Sequence, residues 1–257
     1  MVKKILIIGL PGSGKTTLAK ILKKDLDADW INADKIRKRF NDWDFSKKGV
    51  LRQAERMGSI AAKSKKKFLI ADFVCPYEKG RKIFNPNYLI WMDTIKKGRL
   101  STFDKTFEKP KKFDYVVKEK DNFNLHSIKI QSQVKKFKWD NKNPTILLLG
   151  RWQPWHEGHQ RLFEKVIQKT GQVKIYVKDV KGLGDNPYSI NEIKKRITTK
   201  LKHFKGRYKI ELAPNITEIN YGRTVGYKIK KIKLEKEIES ISATKIRAKL
   251  RKVGKLR

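Results

Sequence analysis

A glycine-rich segment near the beginning of the chain has the residues needed to bind phosphate groups. Residues 9–16 read Gly-Leu-Pro-Gly-Ser-Gly-Lys-Thr and fit the pattern G-x-x-x-x-G-K-[ST]. In such a loop the backbone N–H groups surround phosphates, the lysine reaches the β- and γ-phosphates, and the final hydroxyl holds Mg²⁺. The sequence therefore predicts an ATP site in which Lys15 is catalytic and Thr16 is the Mg²⁺ ligand. The residues predicted to bind this nucleotide are Gly9, Gly12, Ser13, Gly14, Lys15, Thr16 and Thr17.

A carboxylate and an arginine lie in a segment that follows the predicted phosphate site. Residues 30–34 read Trp-Ile-Asn-Ala-Asp, and Arg37 comes three residues after Asp34. Asp34 can take the proton of an acceptor hydroxyl or organise Mg²⁺, and Arg37 can bind an anionic acceptor. The alternative interpretation is a helix-capping aspartate beside a surface arginine.

Two histidines three residues apart form a second candidate site. Residues 150–159 read Gly-Arg-Trp-Gln-Pro-Trp-His-Glu-Gly-His and lie between an apolar run and a helical pattern. Imidazoles near a helix N-terminus can donate hydrogen bonds to a triphosphate and stabilise charge as pyrophosphate leaves, and Gly158 lets the backbone approach a nucleotide. We expect His156 and His159 to be catalytic, with Gly150, Arg151 and Gly158 at the nucleotide. Zinc ligation and a structural histidine pair are the alternatives.

A third segment, close to the C-terminus, is expected to complete that second site. Residues 241–247 read Ile-Ser-Ala-Thr-Lys-Ile-Arg. Ser242 and Thr244 at the start of a helix, with Arg247 in its first turns, can bind the β- and γ-phosphates, although an ordinary helix cap is the alternative. Lys181, in a loop with two glycines, and Arg223 are further candidates for substrate binding, or surface charges.

Strand-like and helix-like stretches alternate around all of these residues. Apolar runs predict strands at 3–8, 68–72, 88–92, 115–117, 145–149, 173–177 and 208–212. Helical periodicity predicts helices at 15–25, 47–63, 159–169, 189–202 and 243–251. Such alternation is typical of α/β proteins with parallel sheets. Residues 119–143 are polar, rich in lysine and without a clear period, so we expect a first domain at 1–118, a linker at 119–143 and a second domain at 144–257.

The composition is strongly basic. The 257 residues include 63 Lys and Arg against 26 Asp and Glu, for a net charge of +37. Such a charge attracts polyanions, but the lysines are spread over nearly every segment, which favours a general surface property over a dedicated nucleic-acid partner. A single cysteine, Cys75, excludes an intrachain disulfide. No apolar run approaches the roughly 20 residues that span a bilayer, so we expect a cytoplasmic protein without a membrane partner.

The first part of the chain resembles the adenylylsulfate kinases over about residues 1–118. The segments that carry the resemblance are Gly9–Thr17, Asn32–Arg37, Phe45–Ser46, Arg52 with Arg56, Cys75–Arg81 and Phe103–Pro110. The resemblance implies a P-loop kinase with a three-layer parallel sheet, in which Asp34 is the catalytic carboxylate and Arg37, Arg52 and Arg81 hold the acceptor. The chain departs from the family at Cys75, where the family has serine, and in a shortened lid segment, where Arg99 is the one candidate for a lid arginine.

The second part resembles the HxGH nucleotidyltransferases over about residues 145–250. The two motifs, at 150–159 and 241–247, lie in the family's order, and the first is similar to that of nicotinamide-mononucleotide adenylyltransferases, with tryptophan at both phenylalanine positions. The resemblance implies a Rossmann-like domain that transfers AMP or CMP from ATP or CTP to a phosphate-bearing acceptor. It implies roles for His156, His159, Ser242, Thr244 and Arg247.

Together these features predict a bifunctional transferase acting on small phosphate-bearing molecules. One site phosphorylates a small anionic metabolite and the other transfers a nucleotidyl group. Sulfate activation, with a sulfurylase-like second domain, is one alternative, although that family is considerably larger than this segment. A nucleic-acid end-repair kinase is another, favoured by the charge but without a ligase motif, and a non-catalytic nucleic-acid-binding protein is a third.

Overall fold

The computed structural model describes residues 2–99, 101–220, 222, 226 and 228–256. The chain divides into two compact units, residues 1–134 and 135–257, called unit 1 and unit 2 below. Among the described residues, none of the helices has the length and apolar character required to cross a membrane.

Unit 1 contains a five-stranded parallel sheet. Its strands are β1 (Lys3–Ile8), β2 (Asp29–Asn32), β3 (Phe68–Asp72), β4 (Tyr88–Met92) and β5 (Tyr115–Val117), in the order β2-β3-β1-β4-β5. Parallel strands are covered on both faces and are therefore apolar along their length, which is why the runs at 3–8 and 68–72 are continuous. The strands predicted from the sequence in this unit are confirmed.

Helices cover both faces of this sheet. They are α1 (Lys15–Leu26), α2 (Ala33–Arg39), α3 (Lys47–Ala62), α4 (Glu78–Phe84), α5 (Ser101–Thr106) and α6 (Phe123–Val134). Successive residues of β1 point to opposite faces. Ile5 and Ile7 pack with Leu18 and Leu22 of α1, whereas Leu6 and Ile8 pack with α3. The three-layer α/β arrangement predicted for the first part of the chain is confirmed.

The segment predicted to be a linker contains helix α6. Its buried residues Leu125, Ile130 and Val134 recur on one face, and Ile130 and Val134 belong to the same core as α1. Ser127 and Gln131 also donate hydrogen bonds to Asp25 of α1, at 2.6 and 3.0 Å. Residues 119–143 are therefore not a linker throughout, since they include a regular helix. Its apolar positions are sparse among polar ones, but they suffice to dock the helix on unit 1.

Unit 2 contains a three-stranded parallel sheet with strand order β6-β7-β8. Its elements are β6 (Ile146–Gly150), α7 (Glu157–Thr170), β7 (Val173–Lys178), α8 (Ile190–Lys200), a 3-10 turn (Lys202–Phe204), β8 (Tyr208–Ala213), α9 (Lys236–Glu239) and α10 (Ala243–Lys252). The predicted strands and helices of this part are confirmed, with ends that differ by a few residues. The segments of interest lie where β6 leads into α7 and where α10 begins.

Candidate functional site

The glycine-rich loop connects β1 to α1, and its backbone requires glycine. Gly9, Gly12 and Gly14 have φ values of 147°, 88° and 94°, which side chains disfavour. A Cβ atom on Gly9 would lie 2.6 Å from the carbonyl oxygen of Met92 in β4. Gly14 is the N-cap of α1 and supplies no side-chain hydrogen bond, so the first N–H groups of this 12-residue helix are available to an anion.

Lys15 is buried in the first turn of α1. Its Nζ donates hydrogen bonds to the carbonyl oxygens of Gly9 and Leu10, at 2.9 and 2.8 Å. Burial lowers the pKa of Lys15 to about 8, a shift partly offset by the charges of Asp72 and Asp34. The ammonium group is thus folded back on the loop in which phosphates are expected, with two carboxylates near enough to favour its charged form.

Asp72, at the end of β3, is a site residue that the sequence reasoning missed. Its carboxylate accepts hydrogen bonds from Thr16 Oγ1 (2.7 Å), Trp30 Nε1 (2.6 Å) and Asn32 Nδ2 (3.0 Å). Burial raises the pKa of Asp72, and these three hydrogen bonds counteract the shift. The signal was an acidic residue ending the apolar run 68–72, since β3 pairs with β1 and Asp72 lies level with Ile7, two residues before the loop.

A cavity of about 740 Å³ joins these groups to the predicted acceptor side. Asp34 lines it from the first turn of α2, where Asn32 rather than Asp34 caps the helix by accepting from the Lys35 N–H. Of the predicted nucleotide-binding residues, Gly9 and Ser13 do not line the cavity. Those that do are Gly12, Gly14, Lys15, Thr16 and Thr17. The cavity therefore contains the charged groups expected of a phosphate-binding site at one end and Asp34 beside them.

The three predicted acceptor arginines have different surroundings. Arg37 lines the cavity, and its guanidinium donates to the carbonyl oxygens of Asp42 and Asp44 at 3.0 Å. Arg52 does not line it and makes two hydrogen bonds to the Asp42 carboxylate, at 2.9 and 2.8 Å. Hydrogen bonds from Arg52 and then Arg56 hold the pKa of Asp42 well below its ordinary value. Arg52 thus fixes the 42–44 segment beside the cavity.

Arg81 is buried and also lies outside the cavity lining. It donates to the carbonyl oxygens of Cys75 and Pro76, at 3.0 and 3.2 Å. Both carbonyls belong to residues that line the cavity. Arg81 therefore supports the wall formed by residues 75–76, and its predicted contact with an acceptor stays a prediction.

Aromatic rings and a further arginine complete the cavity. Trp43 and Phe45 line it and are 51% and 40% exposed, and the Arg37 guanidinium lies 4.7 Å from the Phe45 ring centre. Arg99 also lines the cavity, and its side chain lies 3.3 Å from the position of a Cβ atom on Gly12. The short segment after β4 therefore brings a guanidinium over the phosphate-binding loop.

In unit 2, the structure brings His156 and His159 together at the N-terminus of α7. His156 is the N-cap residue, and its Nδ1 accepts a hydrogen bond from the Gly158 N–H at 3.1 Å. His159 Nδ1 accepts from the His156 N–H at 3.3 Å. Since each Nδ1 is an acceptor, each neutral ring carries its proton on Nε2. The backbone thus makes both histidines Nε2–H donors.

The surroundings of the histidines keep them neutral. Their rings stack with centroids 3.7 Å apart, and the Trp152 and Trp155 rings contact His159 at 4.8 and 5.5 Å. Burial, and then the nearby His156, lowers the pKa of His159 to about 3, and burial lowers the pKa of His156. Two neutral donors can bind phosphate oxygens without releasing or taking up a proton near neutral pH.

The predicted partner segment begins α10. Ser242 is its N-cap, with no side-chain cap hydrogen bond, and Thr244 is exposed. Arg247 is buried and donates to Thr244 Oγ1 (3.2 Å), to Asp185 Oδ2 (2.8 Å) and to the carbonyl oxygen of Gln153. Arg247 therefore connects α10 to the segment before His156, and the structure brings two of the predicted motifs together within unit 2.

The remaining candidates in unit 2 lie in loops or outside the described residues. Lys181 is exposed in the loop between β7 and α8, beside Gly182 and Gly184, which both have positive φ. Gly150 ends β6, and a Cβ atom there would lie 2.8 Å from the Trp152 ring. Arg151 is exposed. Arg223 lies outside the described residues.

The histidines are not part of a larger metal-ligating cluster in the part of the chain that the structure describes. No group of three or more His, Cys, Asp or Glu side chains there could hold a metal ion. The Nδ1 atoms of His156 and His159 are also already engaged by backbone N–H groups. Ligation of a metal by these Nδ1 atoms would require the two backbone hydrogen bonds to break.

Comparisons with known proteins concern the phosphate-binding fold. A family model described as an AAA domain matches residues 5–75, which include the glycine-rich loop, Asp34 and Asp72. No curated protein matches the chain. The matched segment covers less than half of the chain, so it indicates a similarity and leaves the family open.

Several solved kinases are similar to part of the chain. The APS kinase of Mycobacterium tuberculosis, solved with AMPPNP and APS, is 15% identical, with 52% of this chain and 98% of that chain covered and a TM-score of 0.47. A gluconokinase from Sinorhizobium meliloti is 14% identical over 47% and 85% of the two chains, with a TM-score of 0.37. Shikimate kinase from Aquifex aeolicus is 17% identical over 51% and 96%, with a TM-score of 0.40.

Proposed function

We propose that unit 1 uses ATP to phosphorylate a hydroxyl group on a small anionic acceptor, and that unit 2 transfers a nucleoside monophosphate to a phosphate-bearing acceptor. The observation that carries the first activity is the grouping of Lys15, Thr16, Asp34 and Asp72 around one cavity. These residues come from the start of α1, the start of α2 and the end of β3. All three lie at the edge of the sheet where its strands end. That edge is where open parallel α/β sheets bind their ligands.

The chemistry follows from the positions of these groups. The N–H groups of the glycine-rich loop and Lys15 bind the β- and γ-phosphates of ATP. Asp34 accepts the proton of the acceptor hydroxyl, whose oxygen forms the new bond to the γ-phosphorus as the bond to the β,γ-bridging oxygen breaks and ADP leaves. Lys15 and Arg99 stabilise the charge that develops on the transferred phosphoryl group and on the leaving ADP.

The donor set at Thr16 and Asp72 fits Mg²⁺. The Thr16 hydroxyl and the Asp72 carboxylate lie 2.7 Å apart, and both are hard oxygen donors of the kind that Mg²⁺ uses with one or two carboxylates and substrate phosphates. Mg²⁺ held by Thr16 and Asp72 would supply positive charge that offsets the charge of the nucleotide phosphates. Trp30 and Asn32 orient the carboxylate through their hydrogen bonds to it.

The acceptor side favours a molecule that is both flat and anionic. Arg37 offers a buried guanidinium, while the rings of Trp43 and Phe45 line the cavity and are about half exposed. Exposed aromatic rings stack with planar groups, and arginine binds phosphate or sulfate oxygens. A nucleotide-like acceptor matches both features, with Arg52 and Arg81 acting by holding the surrounding segments in place.

The activity proposed for unit 2 rests on the histidine pair. His156 and His159 present Nε2–H donors at the N-terminus of α7, a 14-residue helix, and Arg247 connects the start of α10 to the same region. An oxygen of the acceptor phosphate is already ionised and can attack the α-phosphorus of an NTP directly. The bond to the bridging oxygen breaks, pyrophosphate leaves, and the histidines stabilise its charge.

The test measures both products in one experiment. The full-length protein is incubated with Mg²⁺, each NTP in turn and a panel of hydroxyl-bearing anions and phosphomonoesters, and ADP and pyrophosphate are followed. We expect acceptor-dependent ADP that is lost in Lys15→Ala and kept in Lys20→Ala, an exposed lysine of the same helix. We expect acceptor-dependent pyrophosphate that is lost in His159→Ala and partly kept in His159→Asn, which retains an N–H donor.

Some results would contradict the proposal for each unit separately. If a 5′-hydroxyl oligonucleotide is the one acceptor that produces Lys15-dependent ADP, unit 1 is an end-repair kinase. If sulfate is the one substrate that produces pyrophosphate, unit 2 takes part in sulfate activation. If no pyrophosphate forms with any pair, nucleotidyl transfer is excluded while the kinase proposal stands.

A further inference from the structure

Unit 2 contains a second cavity, formed by one face of α8 and the ring of Trp155. Its volume is about 400 Å³, which is within the range of small-ligand sites. The helix residues that line it recur at spacings of three and four, so they lie on one face of α8. They are Glu192, Lys195, Arg196, Thr199 and Lys200.

The charge of this cavity is positive. Lys195, Arg196 and Lys200 contribute three cations against one carboxylate, and among the described residues none of the three forms an ion pair. Glu192 is engaged elsewhere, because it accepts hydrogen bonds from the Ser189 N–H (2.8 Å) and hydroxyl (2.6 Å) at the start of α8. Lys195 and Lys200 are therefore available to an anionic ligand, whereas Arg196 also interacts with the charge of Glu192.

The ring of Trp155 forms the other wall. Trp155 is 5% exposed, and its indole Nε1 has no hydrogen-bond partner among the described residues. Because that Nε1 atom is itself buried from solvent, the part of the ring that lines the cavity offers an apolar surface to a ligand. Arg196 is held in place, since its guanidinium lies 4.3 Å from the centre of the Tyr188 ring.

We propose that this cavity binds a small phosphomonoester. Lys195, Arg196 and Lys200 bind the phosphate, whose two negative charges match the net charge of the lining. The body of the molecule packs against the Trp155 ring. This inference rests on the function proposed for unit 2 and deepens it, because the phosphomonoester would be its phosphate-bearing acceptor, and binding in the cavity is tested without an NTP and apart from pyrophosphate release.

The ring of Trp155 connects this cavity to the histidine pair. The Trp155 ring lines the cavity and also contacts the His159 ring, with centroids 5.5 Å apart. A ligand that packs on one part of the indole therefore restricts the ring that borders His159. Occupancy of the cavity is expected to change the environment of His159.

Binding of phenyl phosphate to the full-length protein tests the proposal. We expect calorimetry to show one-site binding that Lys195→Ala and Arg196→Ala each weaken about tenfold, as for the loss of one charged contact to phosphate. Lys194→Ala is the matched control, since this neighbouring lysine of α8 does not line the cavity, and we expect it to bind like the parent. The indole ¹H–¹⁵N signal that disappears in Trp155→Phe should shift when phenyl phosphate is added.

Three comparisons decide between this site and others. Phenyl phosphate should bind more tightly than inorganic phosphate, and phenol should bind far more weakly than either. Equal weakening in Lys194→Ala and Lys195→Ala would mean that general surface charge, not the cavity, binds the probe. Thr244→Ala that weakens binding as much as Arg196→Ala would place the phosphate at α10, and either result overturns the proposal.

Discussion

The hydroxyl of Thr16 donates a 2.7 Å hydrogen bond to the carboxylate of Asp72. This bond joins the first turn of α1 to the end of β3, and its two residues are 56 positions apart in the sequence. It places the residue that follows Lys15 beside a buried carboxylate, so that the phosphate-binding loop and the acidic end of the sheet form one site.

The first prediction concerns Asp72→Asn. Oδ2 of Asp72 accepts from Thr16 and Asn32, and Oδ1 accepts from Trp30, so an amide nitrogen in either position faces a donor and at least one hydrogen bond is lost together with the charge. We expect phosphoryl transfer to fall by about 100-fold and to require more Mg²⁺. Steady-state kinetics against Mg²⁺ concentration measures this.

Asp29→Asn is the matched control. Asp29 begins strand β2, whereas Asp72 ends strand β3, and the Asp29 carboxylate accepts a hydrogen bond from the Ser64 hydroxyl. This variant should leave the Mg²⁺ requirement unchanged. The same loss of activity in both variants would mean that Asp72 acts through the stability of the sheet alone.

The second prediction concerns the pH dependence of ATP binding. Burial lowers the pKa of Lys15 from 10.5 to about 8, and the protonated ammonium is the form that binds phosphate. We expect the Kd for ATP to rise above pH 8, by up to about tenfold per pH unit, and Lys15→Met to remove this dependence. A Kd that stays constant from pH 7 to 9.5 in the parent would contradict the prediction.

The same pKa has the opposite effect on the protein without ATP. Between pH 8 and 10.5 the unfolded chain holds the Lys15 proton and the folded chain has lost it, so the contribution of Lys15 to the free energy of unfolding rises with pH in this window. Denaturant unfolding of the parent and of Lys15→Met, compared at pH 8 and 10, measures the difference.

The third prediction concerns His159 and acid stability. Burial and then His156 lower the pKa of His159 from 6.5 to about 3. Below pH 6.5 the unfolded chain therefore binds a proton that the folded chain does not, and the free energy of unfolding falls as the pH falls toward 3, by up to about 1.4 kcal/mol per pH unit. His159→Gln should reduce this slope in denaturant unfolding of the full chain. Equal slopes in the parent and the variant would show that His159 titrates normally.

The fourth prediction compares two helical glycines. A Cβ atom on Gly58 in α3 meets no atom nearer than 3.7 Å, whereas one on Gly158 lies 3.0 Å from Cε1 and 3.2 Å from Nδ1 of His156. Gly58→Ala should stabilise the protein by about 0.5–1 kcal/mol. Gly158→Ala should displace the His156 ring. We expect it to lower the rate of pyrophosphate release strongly and to change the free energy of unfolding only slightly. Thermal unfolding and the pyrophosphate assay, run on both variants, test this contrast; equal behaviour of the two would refute it.

The sequence predicted those parts of the molecule that depend on local pattern. Apolar runs identified strands such as β1 and β3, which are buried on both faces of their parallel sheet. The glycines of the loop at 9–14 indicated a backbone that side chains disfavour. Lys15 and Thr16 follow from the spacing of that loop. His156 and His159 could be placed at a helix N-terminus because an apolar run precedes them and helical periodicity follows.

Tertiary structure decided which distant residues meet. Asp72 becomes a partner of Thr16 through the pairing of β3 with β1, and nothing in the residues around Asp72 distinguishes it from other strand-terminal carboxylates. The contact of Arg52 and Arg81 with an acceptor stays a prediction, and only the structure shows that their guanidinium groups also bind Asp42 and the carbonyls of residues 75 and 76. Helix α6 lies on α1 because three apolar side chains and two hydrogen bonds to Asp25 outweigh a polar composition. Local sequence specifies an element, whereas side-chain partners depend on strand order and packing, which join residues far apart in the chain.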